Sequence, residues 1–152
     1  MCSSDLVIAL AAGIIDGLGY GDNTEAALIT RGIKEITALG IKMGGHSRTF
    51  YGLSGIGDLI VTCNSKHSRN RRAGVLIGKG YSLKEAVSEV KMVVEGAVSA
   101  KAALALAKKH QVEMPIVEAV NAVLFDGKPA EEAMWELMLR EQTREYKDLE
   151  WE

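Results

Sequence analysis

Residues 6–19 read LVIALAAGIIDGLG, and no other stretch limits the fold of this chain as much. Apolar residues recur there with helical spacing and leave almost no polar face. A surface helix carries one apolar stripe, whereas a helix that is apolar nearly all round has to be enclosed by other elements. The run from Leu6 to Ile15 is too short to cross a bilayer, which takes about 20 residues as a helix. Asp5 precedes it without any Lys or Arg, unlike the basic start of a secretory signal. The expectation is a central buried helix in a soluble, cytoplasmic protein with no membrane span.

The segments that would enclose this helix also show helical periodicity rather than strand alternation. Gly19 and Gly21 break the first helix, and Asp22, Asn23 or Thr24 is placed to cap a second. That second helix should turn Ala27, Ile33, Ile36 and Leu39 inward and end at Gly44-Gly45. Ser47 to Tyr51 reads as a short helical turn; residues 52–65 have an LIV core open to a strand, but a helix opened by glycines fits the surroundings better. Residues 68–78 form a further helix closed by Gly78 and Gly80, and Ser82 begins the S-x-x-E pattern of a capping box. GAVSAKAALALAKKH places its basic residues in the last turn, where the helix dipole favours them. Pro115 suits the first turn of the next helix, and Pro129 opens the last. No repeat or linker divides the chain. The reading is one all-α domain over residues 6–140, after a separate segment 1–5 and before a charged tail, 141–152, that should fray.

Composition narrows the chemistry. A formal net charge of -2 in 152 residues gives no global attraction to nucleic acid, so any anion site has to be local. Cys2 and Cys63 make no disulfide framework, and with His46, His67 and His110 scattered there is no metal-ligand spacing. No metal is expected. GLGYGD at 17–22 and GLSGIGD at 52–58 contain G-x-G but lack the third glycine and the strand–turn–helix context of a dinucleotide loop. Helix termination and close helix packing account better for both.

One segment resists a bland reading. HSRNRR, residues 67–72, starts a helix at Ser68 but loads Arg69, Arg71 and Arg72 into its first turns, the end that favours negative charge. A solvated charged face is one explanation. The other is that Ser68, Arg69 and Asn70 join the free backbone N–H groups of the helix start to receive a phosphate or carboxylate. Arg72 shares the face of Arg69 roughly, and Arg71 points elsewhere. Asp58, ten residues earlier in an apolar run, is either a cap or salt-bridge partner, or a group that meets substrate hydroxyls or moves a proton, since an unpaired buried carboxylate is costly. Glu95 is either a cap for the helix after Gly96 or a ligand contact.

These residues also carry a resemblance. IALAAGIIDGLGYGDNTEAALITRG, GLSGIGDLIVTC, SRNRR and VVEGAVSAKAALALA resemble, in order and spacing, the C-terminal substrate domain of bacterial-type NAD(P)-dependent glycerol-3-phosphate dehydrogenase, from about Val7 to Leu139. That helical half is similar to the C-terminal domain of 6-phosphogluconate dehydrogenase. The resemblance implies that Asp58 stands beside the catalytic lysine and that Ser68, Arg69 and Asn70 hold the substrate phosphate. It implies that Arg69, Val93 and Glu95 approach the cofactor, NAD or NADP. The anion called for by HSRNRR would then be the phosphate of sn-glycerol 3-phosphate or dihydroxyacetone phosphate, interconverted for phospholipid precursor synthesis.

Two departures qualify this. The family's Rossmann domain has no counterpart in these 152 residues, and Asp5 occupies the position of the catalytic lysine. A lysine exchanges the hydroxyl proton and stabilises developing negative charge, which an anionic Asp5 does not. Segment 1–5 therefore reads as a truncation or junction. The expectation is the substrate half of the enzyme, without turnover by this chain alone and partnered by the Rossmann domain, with a helical surface able to support a homodimer. The alternative is a non-catalytic helical module for phosphate-ligand binding or dimerisation.

Overall fold

A computed structural model describes residues 4–141. Its elements are α1 (Ser4–Gly17), α2 (Asp22–Lys42), α3 (Ser47–Phe50), a π-helical turn (Leu53–Gly57), α4 (Asp58–Asn64), α5 (Arg69–Gly78), α6 (Leu83–Val90), α7 (Glu95–His110), α8 (Pro115–Phe125) and α9 (Ala130–Glu141). No strand occurs among the described residues, as the all-α reading expected. The fraying expected of the tail falls on residues outside those described.

The central helix is α1, and Val7 to Ile15 is buried without a break. Around it pack α2, α4, α5, α7 and α8. None of those described helices is long and apolar enough to cross a membrane. The closest approach is to α5, where a feature absent from the sequence reading appears. Gly13 and Gly17 of α1 lie against Gly74 and Gly78 of α5, so that a Cβ on Gly13 would run into the Arg71 carbonyl and one on Gly74 into that of Leu10. A four-residue step in α1, from Gly13 to Gly17, matches a four-residue step in α5, from Arg71 to Val75. The two helices therefore run parallel with their backbones in contact, and their N-termini emerge at the same end. Gly78 does end α5, but it is also one half of this contact.

Several local expectations hold. Pro115 is the first residue of α8, and Ser82 and Glu85 complete both hydrogen bonds of the capping box, at 3.2 and 2.7 Å. Lys108, Lys109 and His110 occupy the last turn of α7. Others are corrected. Gly21, not Asp22, Asn23 or Thr24, stands in the cap position of α2, and no side chain caps it. The Asp22 backbone is already helical, which places all three side chains inside the helix. The glycine-opened helix expected over 52–65 does form, from Leu53 to Asn64, but its start is a π turn that runs on into α4, with Gly55 packed directly on the Phe50 backbone. Pro129 stands just outside α9, with its carbonyl accepting the Ala133 N–H at 3.1 Å.

Two buried polar contacts lock helices that the apolar core alone would leave free to slide. Glu35, buried on α2, accepts the Ile116 N–H of α8 at 2.7 Å, with the Val117 N–H at 3.5 Å. Asn121 of α8 donates to the Ala100 carbonyl of α7 at 2.8 Å.

Candidate functional site

The parallel packing of α1 and α5 brings two helix N-termini together, and a third joins them. Gly96, in the first turn of α7, donates its N–H to Asn70 Oδ1 at 2.7 Å. The space a Gly96 Cβ would need is closed by Asn70 Oδ1 at 2.6 Å and the Leu6 carbonyl at 2.9 Å. The first turns of α1, α5 and α7 thus meet at one point. Burial raises the Asp5 carboxyl from its ordinary value, and the charge of Asp58, at the start of α4, adds to the rise. Asp5 Oδ1 accepts the Leu6 N–H at 3.1 Å, which opposes that rise. The three N-termini of α1, α5 and α7 gathered at one end concentrate partial positive charge there.

Each residue singled out in the sequence can be placed on this frame. Ser68 caps α5, its hydroxyl accepting the Arg71 N–H at 3.3 Å. Arg69 and Arg72 are exposed. Arg71 does point elsewhere: it turns inward and pairs with Asp16 of α1 at 3.0 Å. Its Nε, like Oε1 of neighbouring Glu25, is buried without a hydrogen-bond partner among the described residues. Asn70 is only 7% exposed. The backbone N–H groups of Arg69 and Asn70, and the Asn70 side-chain NH2, find no acceptor among the described residues. The opening of α5 therefore presents N–H donors and an exposed guanidinium that meet no acceptor among the described residues.

Asp58 corrects its reading. It is exposed, so no burial cost demands a partner, and Gly57 rather than Asp58 occupies the cap position of α4. Glu95 is likewise exposed and is the first residue of α7; Val94 holds the cap position without a side-chain bond. Neither acidic residue is used up by capping. Val93 is exposed just ahead of α7. Cys63, fully buried on α4, has its thiol pushed up to about 12 by burial and is not a nucleophile.

A profile described as the C-terminus of NAD-dependent glycerol-3-phosphate dehydrogenase matches residues 4–135. The chain belongs to that family. The glycerol-3-phosphate dehydrogenase [NAD(P)+] of Agathobacter rectalis is 68% identical over 145 residues, which is 95% of this chain and 43% of the relative. The enzyme of the same name from Bacillus subtilis is 61% identical over 143 residues, 94% of this chain and 41% of the relative. The crystal structure of glycerol-3-phosphate dehydrogenase from Coxiella burnetii superposes with a TM-score of 0.87 at 41% identity, over 90% of this chain and 42% of that one. The chain thus spans about two fifths of the length of the dehydrogenases it matches.

Sequence reasoning missed the contact that joins the site's parts. Asn70 was read as a ligand contact alone, and nothing local marks it as a bridge to α7. GIIDG in α1 and GVLIG in α5 did carry a signal, a matched G-x-x-x-G pair, that glycine read only as helix punctuation conceals.

Proposed function

We propose that this chain is the substrate-binding half of an NAD(P)-dependent glycerol-3-phosphate dehydrogenase, which interconverts sn-glycerol 3-phosphate and dihydroxyacetone phosphate in the cytoplasm. The observation that carries this is the opening of α5, where Arg69 and unused N–H donors stand together without a carboxylate partner among the described residues. In this reading Ser68, Arg69 and Asn70 hold the phosphate, through charge-assisted bonds and the helix N-terminus. Asp58, exposed beside the first turn of α1, faces the carbon end of the substrate. The substrate domain expected from residue 6 starts earlier, because Ser4 and Asp5 already belong to α1 and Ser4 is buried in it; it runs to residue 140, and 141–152 are its tail.

Arg69, Val93 and Glu95 fit a cofactor's edge: all three are exposed at the starts of α5 and α7. NAD or NADP, when bound, supplies the hydride chemistry. Most of its contacts belong to a Rossmann domain covering this end, where exposed Val93 and Val98 offer apolar surface. Trp135 and Leu139, exposed on α9, offer a separate surface for a homodimer. With Asp5 at the position of the lysine, the first turn of α1 carries a carboxyl near enough to feel the charge of Asp58, and α1 has no lysine to exchange the hydroxyl proton. That juxtaposition also favours the second reading, a phosphate-binding module without catalysis.

The test combines the chain with the separately produced Rossmann half of a relative. Asp5→Lys should bring oxidation of sn-glycerol 3-phosphate with NAD or NADP, whereas the parent mixture stays inactive. Inactivity of both, with ligand binding intact, would favour the module. Arg69→Ala should weaken phosphate-ester binding by ~1.5–3 kcal/mol through loss of a charge-assisted bond, read by calorimetry. Unchanged affinity would sink the assignment of the phosphate site.

A further inference from the structure

The Asn70 amide has one oxygen and one NH2 group, and the chain has already decided which way it points. Gly96 N–H can only donate, so the group it meets at 2.7 Å is the oxygen. The NH2 end is then turned away from α7, and it has no partner among the described residues. Turning the amide over would set NH2 against N–H inside a buried contact, losing one bond and leaving donors unsatisfied. Gly96 can hold the amide this closely because it has no Cβ, which would fall 2.6 Å from that same oxygen.

We propose that Gly96 is a positioning residue: its N–H fixes the Asn70 amide so that only donors face the ligand end of α5, making the site selective for a phosphate group. The inference rests on the reading of that end as a phosphate site and adds what orients it. A phosphate dianion has acceptors alone to offer. Arg69, the N–H groups of Arg69 and Asn70, and the amide NH2 match it with donors alone. A rotated amide would present a lone pair to the same oxygens and repel them.

The experiment uses the 152-residue chain labelled with 15N. Inorganic phosphate and sn-glycerol 3-phosphate are titrated separately, with the Asn70 NH2 and Gly96 N–H signals followed by NMR. Both ligands should move the Asn70 NH2 pair while the Gly96 N–H stays bonded. If only the ester moves it, the site reads the glycerol portion first, and phosphate selection by the amide is overturned. Asn70→Asp keeps an oxygen for Gly96, so the Gly96 signal should persist while affinity for either ligand falls at least tenfold, an outcome that a purely structural Asn70 would not produce. Gly96→Ala should also reduce affinity at least tenfold, without loss of helix content by circular dichroism. Affinity of Asn70→Asp equal to the parent, in a chain whose binding still depends on Arg69, would overturn the role of Gly96 alone. A parent chain that binds neither ligand would overturn the phosphate reading beneath it.

Discussion

At the start of α8, the N–H groups of Ile116 and Val117 point to the carboxyl of Glu35, reached from α2. At the start of α5, Ser68 takes one N–H, those of Arg69 and Asn70 find no partner among the described residues, and the first residue is an exposed arginine. The backbone chemistry is the same at both places, since every helix begins with donors that lack intrahelical acceptors. What differs is access to solvent. The α8 opening is buried, and burial raises the Glu35 carboxyl to about 8 despite the two N–H groups that oppose the rise. Sealed within the core, the helix start is given an acceptor by the chain itself, and that acceptor is largely neutral near pH 7. The α5 opening lies at the surface, where a full negative charge can arrive from outside and where Arg69 can meet it.

The contrast can be broken first at α8. Glu35→Ala removes the acceptor and leaves buried N–H groups without partners, which should destabilise the chain by about 2 kcal/mol in urea unfolding. No loss would mean that α8 is held by apolar packing alone. The next effect is one of pH. The folded carboxyl titrates at about 8 instead of 4.5, so folding retains a proton that the unfolded chain releases. Its contribution to stability is fully present below about pH 4.5 and is lost as the pH rises to about 8. The slope is at most ~1.4 kcal/mol per pH unit. Glu35→Gln retains an oxygen for the Ile116 N–H and should flatten that slope, which unfolding midpoints measured across this range would show.

The smallest effect sharpens the comparison from the other side. Arg69→Glu gives α5 the acidic first turn that helix starts favour, and should raise stability by ~0.3–1 kcal/mol. The same change should abolish phosphate binding. If α5 gained stability and still bound phosphate, its opening would not be the anion site.

Much of the fold was legible because it follows from local pattern. The enclosed character of α1, the capping box at Ser82 and the start of α8 at Pro115 each depend on residues close together in sequence. The anion-seeking character of the α5 opening was legible for the same reason, as three arginines at the wrong end of a helix. Asp58 and Glu95 were less well read. Whether a carboxylate in an apolar run is buried depends on which neighbours cover it, and here none does. Glu35 shows the converse. It sits among ordinary helical residues, and nothing in ITRGIKEITALG says that its carboxyl will cap a helix eighty residues further on.

The sequence by itself determined that this chain would be helices around one enclosed helix, and that one helix start would carry surplus positive charge. Periodicity, capping and side-chain charge act over a few residues, so they are written in the order of the letters. Tertiary structure decided that three helix N-termini meet at one end, that Glu35 closes one opening while another stays open, and that Gly96 sets the direction of the Asn70 amide. The meeting of the α1 and α5 starts depends on backbones in direct contact along the Gly13–Gly74 and Gly17–Gly78 seam. Such contact requires two distant glycine pairs to arrive in register, and only packing brings them there.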